Sequence, residues 1–260
     1  MNQNDTKGLS LRLIDAHCHV GWFANPAALA REAAGMGLGF LSVTVTPEEF
    51  RALDTVLAGE KNVALAAGLH PWWVRKAADA DALCELLPDV RWVGEIGLDA
   101  APRHVATWDA QLAAFSRVCA TCAETSSAEV PKVLSIHAVR CAGTVLDVLE
   151  QTGAAASCRC VLHWFSGSSE ELWRAARLGC LFSLGERSLA TRRGREYARI
   201  LPAERLLIET DLPEGKNSPT TADDVIDSLN RALTDIATAR NLTPAEVSTL
   251  VTRNSTQLLS

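Results

Sequence analysis

The chain of 260 residues is 48% hydrophobic and 22% charged, which is typical of a globular protein with a sizeable core and excludes disordered, collagen-like and small disulfide-stapled proteins. Its 31 acidic and 25 basic residues give a net charge of −6, which excludes coating of nucleic acid or of an anionic membrane by bulk charge. No apolar run reaches the roughly 18 residues of a membrane-spanning helix, and the polar start MNQNDTKG leads into no signal-peptide core. We therefore expect a cytoplasmic protein.

Short β-rich apolar runs alternate with segments of helical periodicity along the whole chain. The predicted strands are 11–19, 39–46, 63–70, 91–98, 132–138, 159–165, 181–185 and 206–211. The segments between them include PAALAREAAGMG, PEEFRALDTVLAGE, DADALCELLP, AGTVLDVLEQTG and SSEELWRAARLG, and several close on glycine. Eight such repeats predict an α/β protein, a (β/α)8 TIM barrel in a single domain over 1–260. An open doubly wound sheet is the alternative, but no G-x-G-x-x-G follows the first strand.

Most of the histidines fall at or just beyond the carboxyl ends of predicted strands, where a barrel opens into one mouth. Two acidic residues share this placement, and acids beside apolar strand residues are costly to bury unless paired or metal-bound. These strand-end residues are His17, His19, His70, Glu95, His137, His163 and Asp211.

His17 and His19 lie two apart on the first strand, so their side chains point to the same face and suit one shared cation. A lone H-x-H also fits an ordinary polar strand end, but the other strand-end residues favour metal. Six ligands (His17, His19, Glu95, His137, His163 and Asp211) exceed the needs of one catalytic zinc, which predicts two divalent ions about 3.5–4 Å apart. Nitrogen and carboxylate donors suit zinc, manganese, iron or nickel, and magnesium less well.

A metal pair of this kind makes hydrolysis the natural reaction class. We expect Glu95 to bridge the ions and Asp211 to act as the general base. Glu209 and Asp15 either hold a ligand imidazole or form structural ion pairs. Cys119 and Cys122 form a C-x-x-C inside a helical pattern, where two buried small residues are a better interpretation than a redox or zinc site.

The sequence resembles the TatD-related metal-dependent hydrolases of the amidohydrolase superfamily, over about residues 11–258. The matching motifs are D-A-H-C-H at 15–19, G-L-H-P at 68–71, V-G-E-I-G-L-D at 93–99, Q-x-x-x-F at 111–115, I-H at 136–137, L-H-W-F-S-G at 162–167, E-T-D-L-P at 209–213 and Asn254. The resemblance implies a (β/α)8 barrel and a divalent-metal phosphodiesterase, many members being deoxyribonucleases. It implies one metal on His17, His19, Glu95 and Asp211, and a second on Glu95, His137 and His163. By the same resemblance His70 is a substrate contact, although it also fits a residue that fixes the turn before Pro71.

The chain departs from the family where a substrate would be held. Ala100-Ala101-Pro102 replaces an aromatic pair, Arg140 is shifted by one position, and the segment after Pro213 is short. Arg187, Arg192, Arg193 and Arg195 form the one dense basic cluster, which suits phosphate or, alternatively, a solvated helix face. Trp22, Trp72, Trp73 and Trp164 follow strand ends, where they either stack on bases or cover the site.

We therefore expect a monomeric deoxyribonuclease that trims single-stranded DNA, with substrate contacts from His70, Arg187, Arg192, Arg193 and Trp164. The charge of −6 and the short segment after Pro213 favour an alternative, a hydrolase of small phosphodiesters, esters, lactones or amides. A non-catalytic metal-binding partner subunit is a third possibility, against which the intact ligand set argues.

Overall fold

The computed structural model describes residues 11–260, so the polar start of the chain lies outside the described residues. Within this range the chain forms eight strands and eleven α-helices that alternate as predicted. The strands are β1 (Leu13–Cys18), β2 (Leu38–Val43), β3 (Val63–Ala66), β4 (Trp92–Asp99), β5 (Val133–Val139), β6 (Arg159–His163), β7 (Leu181–Leu184) and β8 (Leu206–Ile208). The helices are α1 (Pro26–Met36), α2 (Pro47–Val56), α3 (Asp81–Cys84), α4 (Trp108–Thr125), α5 (Ala142–Gln151), α6 (Ala154–Ser157), α7 (Ser169–Arg177), α8 (Glu186–Leu189), α9 (Arg192–Ile200), α10 (Ala222–Arg240) and α11 (Pro244–Leu259).

The helix ends follow the local signals in the sequence. Helix α1 begins after Asn25, whose side chain accepts a hydrogen bond from the Ala28 N–H at 3.1 Å, and Pro26 occupies its first position. It ends at Gly37, which adopts the left-handed conformation (φ 77°) that glycine takes without strain. Ser168 and Glu171 form a reciprocal capping box at the start of α7.

Three predicted elements are shorter than the apolar pattern suggests. Strand β3 ends at Ala66, four residues before His70, and β8 ends at Ile208, three residues before Asp211. In the segment DADALCELLP only α3, of four residues, is α-helical. His70 and Asp211 therefore lie on loops beyond their strands, where side-chain direction no longer follows the alternation of a strand.

The chain divides into two compact units by its internal contacts, and the first comprises 43–51 and 66–181. Within it β4 pairs in parallel with β5, and β5 with β6, in chain order. The segment after β3 joins the same side through an isolated parallel bridge between Ala67 and Val93. Helices α4, α5 and α7 belong to this unit and bury apolar faces that include Phe115, Leu146 and Leu172.

The second unit comprises 182–260, 52–65 and, among the described residues, 11–42. In it β1 pairs in parallel with β2, and β7 with β8. The segment that follows β8 contacts the end of β1 through two backbone hydrogen bonds. The Asp211 N–H donates to His17 O at 2.9 Å, and the His19 N–H donates to Leu212 O at 2.8 Å. Asn254 on α11 donates to the carbonyls of Ala203 and Leu206, at 2.8 Å each, and fixes this helix against β8.

Both units thus contain parallel strands in chain order with helices between them, the repeat that the sequence predicted. The prediction of a single domain over 1–260 stays a prediction. Among residues 11–260 no helix combines the length and the apolar character needed to cross a bilayer. All eight cysteines lie in the described range and are free thiols, and burial raises the pKa of both Cys119 and Cys122.

Candidate metal centre

Three imidazole nitrogens converge on one carboxylate oxygen in the first unit. Glu95 Oε1 lies 2.8 Å from His137 Nδ1, 2.9 Å from His163 Nε2 and 3.2 Å from His70 Nε2. All four residues are buried. We refer to His70, Glu95, His137 and His163 as the Glu95 cluster.

The strands of this unit place the Glu95 cluster. Glu95 lies at a register shift of the β4–β5 ladder, between Val93 and Ile96, and such irregularities re-aim a side chain. Two residues on, Gly97 (φ 138°) pairs with His137, and an added Cβ there would lie 2.1 Å from the His137 carbonyl oxygen. Only glycine permits so close an approach of β4 to β5.

The electrostatics of the cluster favour a bound cation. Burial alone would protonate Glu95, but the positive charge of His70 and His163 and the hydrogen bonds from His137 and His163 hold its pKa well below the usual range. Burial also disfavours a charged His137, yet the carboxylates of Asp99 and Glu95 outweigh it and raise the pKa of this imidazole.

A second group of metal-type donors lies in the second unit. Asp211 Oδ1 is 3.4 Å from His19 Nε2 and 3.7 Å from His17 Nε2. The two histidines are buried, whereas the Asp211 side chain is 20% exposed. We refer to His17, His19 and Asp211 as the Asp211 triad.

Asp15 organises the backbone around the Asp211 triad. Its Oδ1 accepts hydrogen bonds from the N–H of His17 at 3.1 Å and of Thr210 at 3.0 Å, and its Oδ2 accepts the Thr210 hydroxyl at 2.5 Å. Burial outweighs these bonds and raises the pKa of Asp15 to about 7. Glu209, the other residue with two interpretations, accepts the hydroxyl of Ser183 and is buried. Both acids make hydrogen bonds to hydroxyl or backbone groups.

The donor sets of both groups suit a divalent cation. Each combines imidazole nitrogens with a carboxylate oxygen, the ligands of zinc, manganese, iron and nickel. In each group the ligand atoms of three residues lie within 4.8 Å of one another, in His17, His19 and Asp211 and in His70, Glu95 and His137. The second set includes His70, which the family resemblance had assigned to the substrate.

Asp99 is a site residue that the sequence analysis missed. Its Oδ2 accepts a hydrogen bond from Trp72 Nε1 at 2.6 Å and lies 3.5 Å from His137 Nε2. Burial opposes its ionisation, but the interactions with His137 and Trp72 hold its pKa well below the usual range. A carboxylate behind a ligand imidazole fixes the orientation of the ring. The sequence carried a signal for it, because Asp99 directly follows the predicted strand 91–98.

The arginines predicted to hold phosphate lie on α8 and α9 of the second unit. Arg187 forms an ion pair with Glu214, and Arg192 and Arg193 are exposed at the start of α9. Arg195 donates to the carbonyls of Leu189 and Ala190, at 2.9 Å each. Arg195 therefore has a structural role and Arg187 is engaged by Glu214, while Arg192 and Arg193 are exposed.

The loop tryptophans differ in their surroundings. Trp22 stacks on His19 with ring centroids 4.3 Å apart and thus covers part of the Asp211 triad. Trp72 donates a hydrogen bond from its Nε1 to Asp99. Trp73 is 43% exposed and Trp164 is 36% exposed, and Trp164 has a positive φ of 40°. Trp22 therefore covers a candidate ligand, whereas Trp73 and Trp164 are exposed to solvent.

Known proteins share both the fold and the sequence motifs of this chain. The family model of the TatD related DNases matches residues 14–260. The 3'-5' ssDNA/RNA exonuclease TatD of Edwardsiella piscicida is 32% identical over 199 residues, which are 72% of this chain and 71% of that protein. A TatD homologue of Escherichia coli has a similar crystal structure, with a TM-score of 0.70 at 23% identity over 95% of this chain and 97% of that one. For a TatD family hydrolase of Entamoeba histolytica the TM-score is 0.77, at 17% identity over 96% and 99% of the two chains. These similarities confirm the predicted (β/α)8 barrel fold.

Proposed function

Since the chain belongs to the family of TatD related DNases, we propose that it is a divalent-metal-dependent phosphodiesterase that removes nucleotides from the 3′ end of single-stranded DNA or RNA. Membership of this family confirms the predicted hydrolase acting on ester bonds. The substrate and the 3′ polarity are taken from the relative at 32% identity. The observation that carries the proposal is the convergence of three imidazoles on the buried Glu95.

The proposal assigns one divalent ion to the Asp211 triad and one to Glu95 with His137 and His163. Bound ions of this kind lower the pKa of a water molecule toward neutrality and polarise a phosphoryl oxygen. The depressed pKa of Glu95 keeps its carboxylate ionised at neutral pH and able to accept a cation. Zinc, manganese, iron and nickel fit the nitrogen-rich donors better than magnesium.

Several side chains have roles of their own in this proposal. Asp211, which is the more exposed member of its triad, accepts the proton of the attacking water. His70 supports Glu95 from a distance of 3.2 Å and contacts the phosphate. Arg187, Arg192, Arg193 and Trp164 contact the substrate. We propose that the enzyme acts as a monomer in the cytoplasm.

The test is cleavage of a single-stranded oligonucleotide labelled at its 5′ end, by protein stripped of metal and then supplied with manganese, zinc or magnesium. We expect a metal-dependent ladder that shortens from the 3′ end. The His17→Ala/His19→Ala protein should lose at least about 100-fold in rate, as expected when metal ligands are removed. Trp173→Ala on α7 is a matched control, since Trp173 is 39% exposed on a helix surface.

Two results would contradict the proposal. Full metal-dependent cleavage by the double variant would exclude the Asp211 triad from the reaction. No cleavage of any oligonucleotide, by protein that binds two metals and hydrolyses a lactone or ester panel, would assign the chain to the small-molecule alternative.

A further inference from the structure

An exposed indole lies beside the Glu95 cluster. Trp73 is the last residue of a short turn, 71–73, whose start is fixed by His70, because His70 Nδ1 accepts the Trp72 N–H at 3.2 Å. The ring of Trp73 is 43% exposed, and its centroid lies 5.8 Å from that of His70. Because His70 Nε2 is 3.2 Å from Glu95 Oε1, His70 lies between the Trp73 ring and the proposed metal ligand Glu95, and the exposed ring is beside the site.

The ring of Trp73 is nearly parallel to that of Trp72, which in turn is nearly parallel to that of His104. Trp73 and Trp72 have an interplanar angle of 16° and centroids 6.4 Å apart. His104 stacks on Trp72 at 4.7 Å and 17°. The hydrogen bond from Trp72 Nε1 to Asp99 fixes the middle ring. We call Trp73, Trp72 and His104 the tryptophan platform, and its rigidity lowers the entropic cost of binding a flat ligand.

Positive charge surrounds the platform in a chain whose net charge is −6. The guanidinium of Arg103 lies 4.9 Å from the Trp72 ring centroid, and Arg75 donates to the Trp72 carbonyl at 2.9 Å. Arg75, Lys76 and Arg103 are all exposed. Asp79 accepts the backbone N–H groups of Arg75 and Lys76, which fixes this loop beside the platform.

The pairing of an exposed aromatic ring with basic side chains at the platform differs from the arginine-rich segment of α8 and α9. There Arg187 pairs with Glu214 and Arg199 with Glu196, so carboxylates neutralise much of the charge. Exposed aromatic rings with basic side chains beside them are the general means of binding single-stranded nucleic acid. A double helix presents only base edges, whereas a single strand offers the flat faces that a platform needs.

We propose that Trp73 stacks on a nucleobase adjoining the scissile phosphate, while Arg75 and Arg103 hold the phosphates that follow. The inference rests on the proposed nuclease function and deepens it, since it assigns the preference for single strands to the tryptophan platform. Stacking of a base on an aromatic ring is worth about 1–3 kcal/mol, which corresponds to a 5- to 150-fold effect on kcat/KM.

The experiment removes the base and the ring separately. The substrates are oligothymidylates that are intact or carry one abasic nucleotide at the last or the second-last 3′ position, and the proteins are wild type, Trp73→Ala and Trp73→Phe. For wild type we expect kcat/KM to fall 5- to 150-fold when the base is removed at one of the two positions. For Trp73→Ala the same base removal should change kcat/KM less than threefold, and Trp73→Phe should restore part of the difference. Trp173→Ala, the matched exposed tryptophan, should keep the full wild-type ratio.

Equal sensitivity of wild type and Trp73→Ala to the missing base at both positions would overturn the proposal and leave Trp73 as a surface for some other partner. This failure is distinct from failure of the nuclease function, in which wild type with added manganese would cleave neither the oligonucleotides nor bis(p-nitrophenyl) phosphate. Thermal unfolding of each variant separates a folding defect from loss of stacking. The Trp73→Phe protein keeps the test decisive if the alanine variant unfolds.

Discussion

Asp99→Asn removes a charge behind His137, a proposed metal ligand, while keeping the shape of the side chain. Asp99 Oδ2 lies 3.5 Å from His137 Nε2, and the opposite ring nitrogen, Nδ1, lies 2.8 Å from Glu95 Oε1. The carboxylate therefore stabilises positive charge on the imidazole from the side opposite to Glu95. Asparagine can still accept the Trp72 N–H through its oxygen, but it cannot stabilise a positively polarised His137.

The size of the effect follows from this geometry. Loss of a partner behind a ligand imidazole lowers metal affinity by about 10- to 100-fold, or about 1.4–2.7 kcal/mol. The lower figure applies if the amide keeps the ring oriented, and the higher one if the ring also turns. Only one of the two proposed metal sites is weakened by this substitution. We therefore expect the zinc-binding curve of Asp99→Asn to be biphasic and that of wild type to show tighter binding.

Competition between the protein and a chromogenic chelator for zinc measures this change directly. Asp147→Asn serves as the matched control, since Asp147 is an exposed carboxylate paired with Arg174 on another part of the first unit. If the zinc affinity of Asp99→Asn changed less than twofold, as little as that of Asp147→Asn, the reasoning that Asp99 acts through His137 would be refuted.

Two further predictions concern stability. Gly97→Ala should destabilise the protein by more than about 2 kcal/mol in denaturant titrations, because its Cβ would lie 2.1 Å from the His137 carbonyl at a φ of 138°. Gly35→Ala, where nothing lies within 4 Å on helix α1, should instead stabilise by up to about 1 kcal/mol, and equal effects of the two would be inconsistent with this account. Burial raises the pKa of Asp15 to about 7, so the folded metal-free protein binds a proton that the unfolded chain releases near pH 4. Its stability should therefore fall by up to about 3 kcal/mol from pH 5 to pH 8, in the same direction as the raised pKa of His137 requires, and Asp15→Asn should flatten the profile; a wild-type stability that rises over this window would contradict the assignment.

The order of strands and helices and the hydrolase class were predictable from the sequence, which also located histidines and acids at the ends of strands. Each depends on short-range patterns: apolar alternation marks the strands, and histidines and acids near the ends of those strands mark candidate ligands. The close grouping of His17 and His19 with Asp211 also agrees with the prediction. The motif D-A-H-C-H and its successors then identify the family without any coordinates.

The tertiary structure decided how those residues meet. Periodicity does not reveal the register shifts beside His17 on β1 and Glu95 on β4, because a shift depends on the neighbouring strand. The approach of His70 to Glu95 spans 25 residues and that of Trp72 to Asp99 spans 27, distances over which no local pattern operates. Position in the chain told us which side chains are available at strand ends, whereas packing between distant segments determined which atoms face one another.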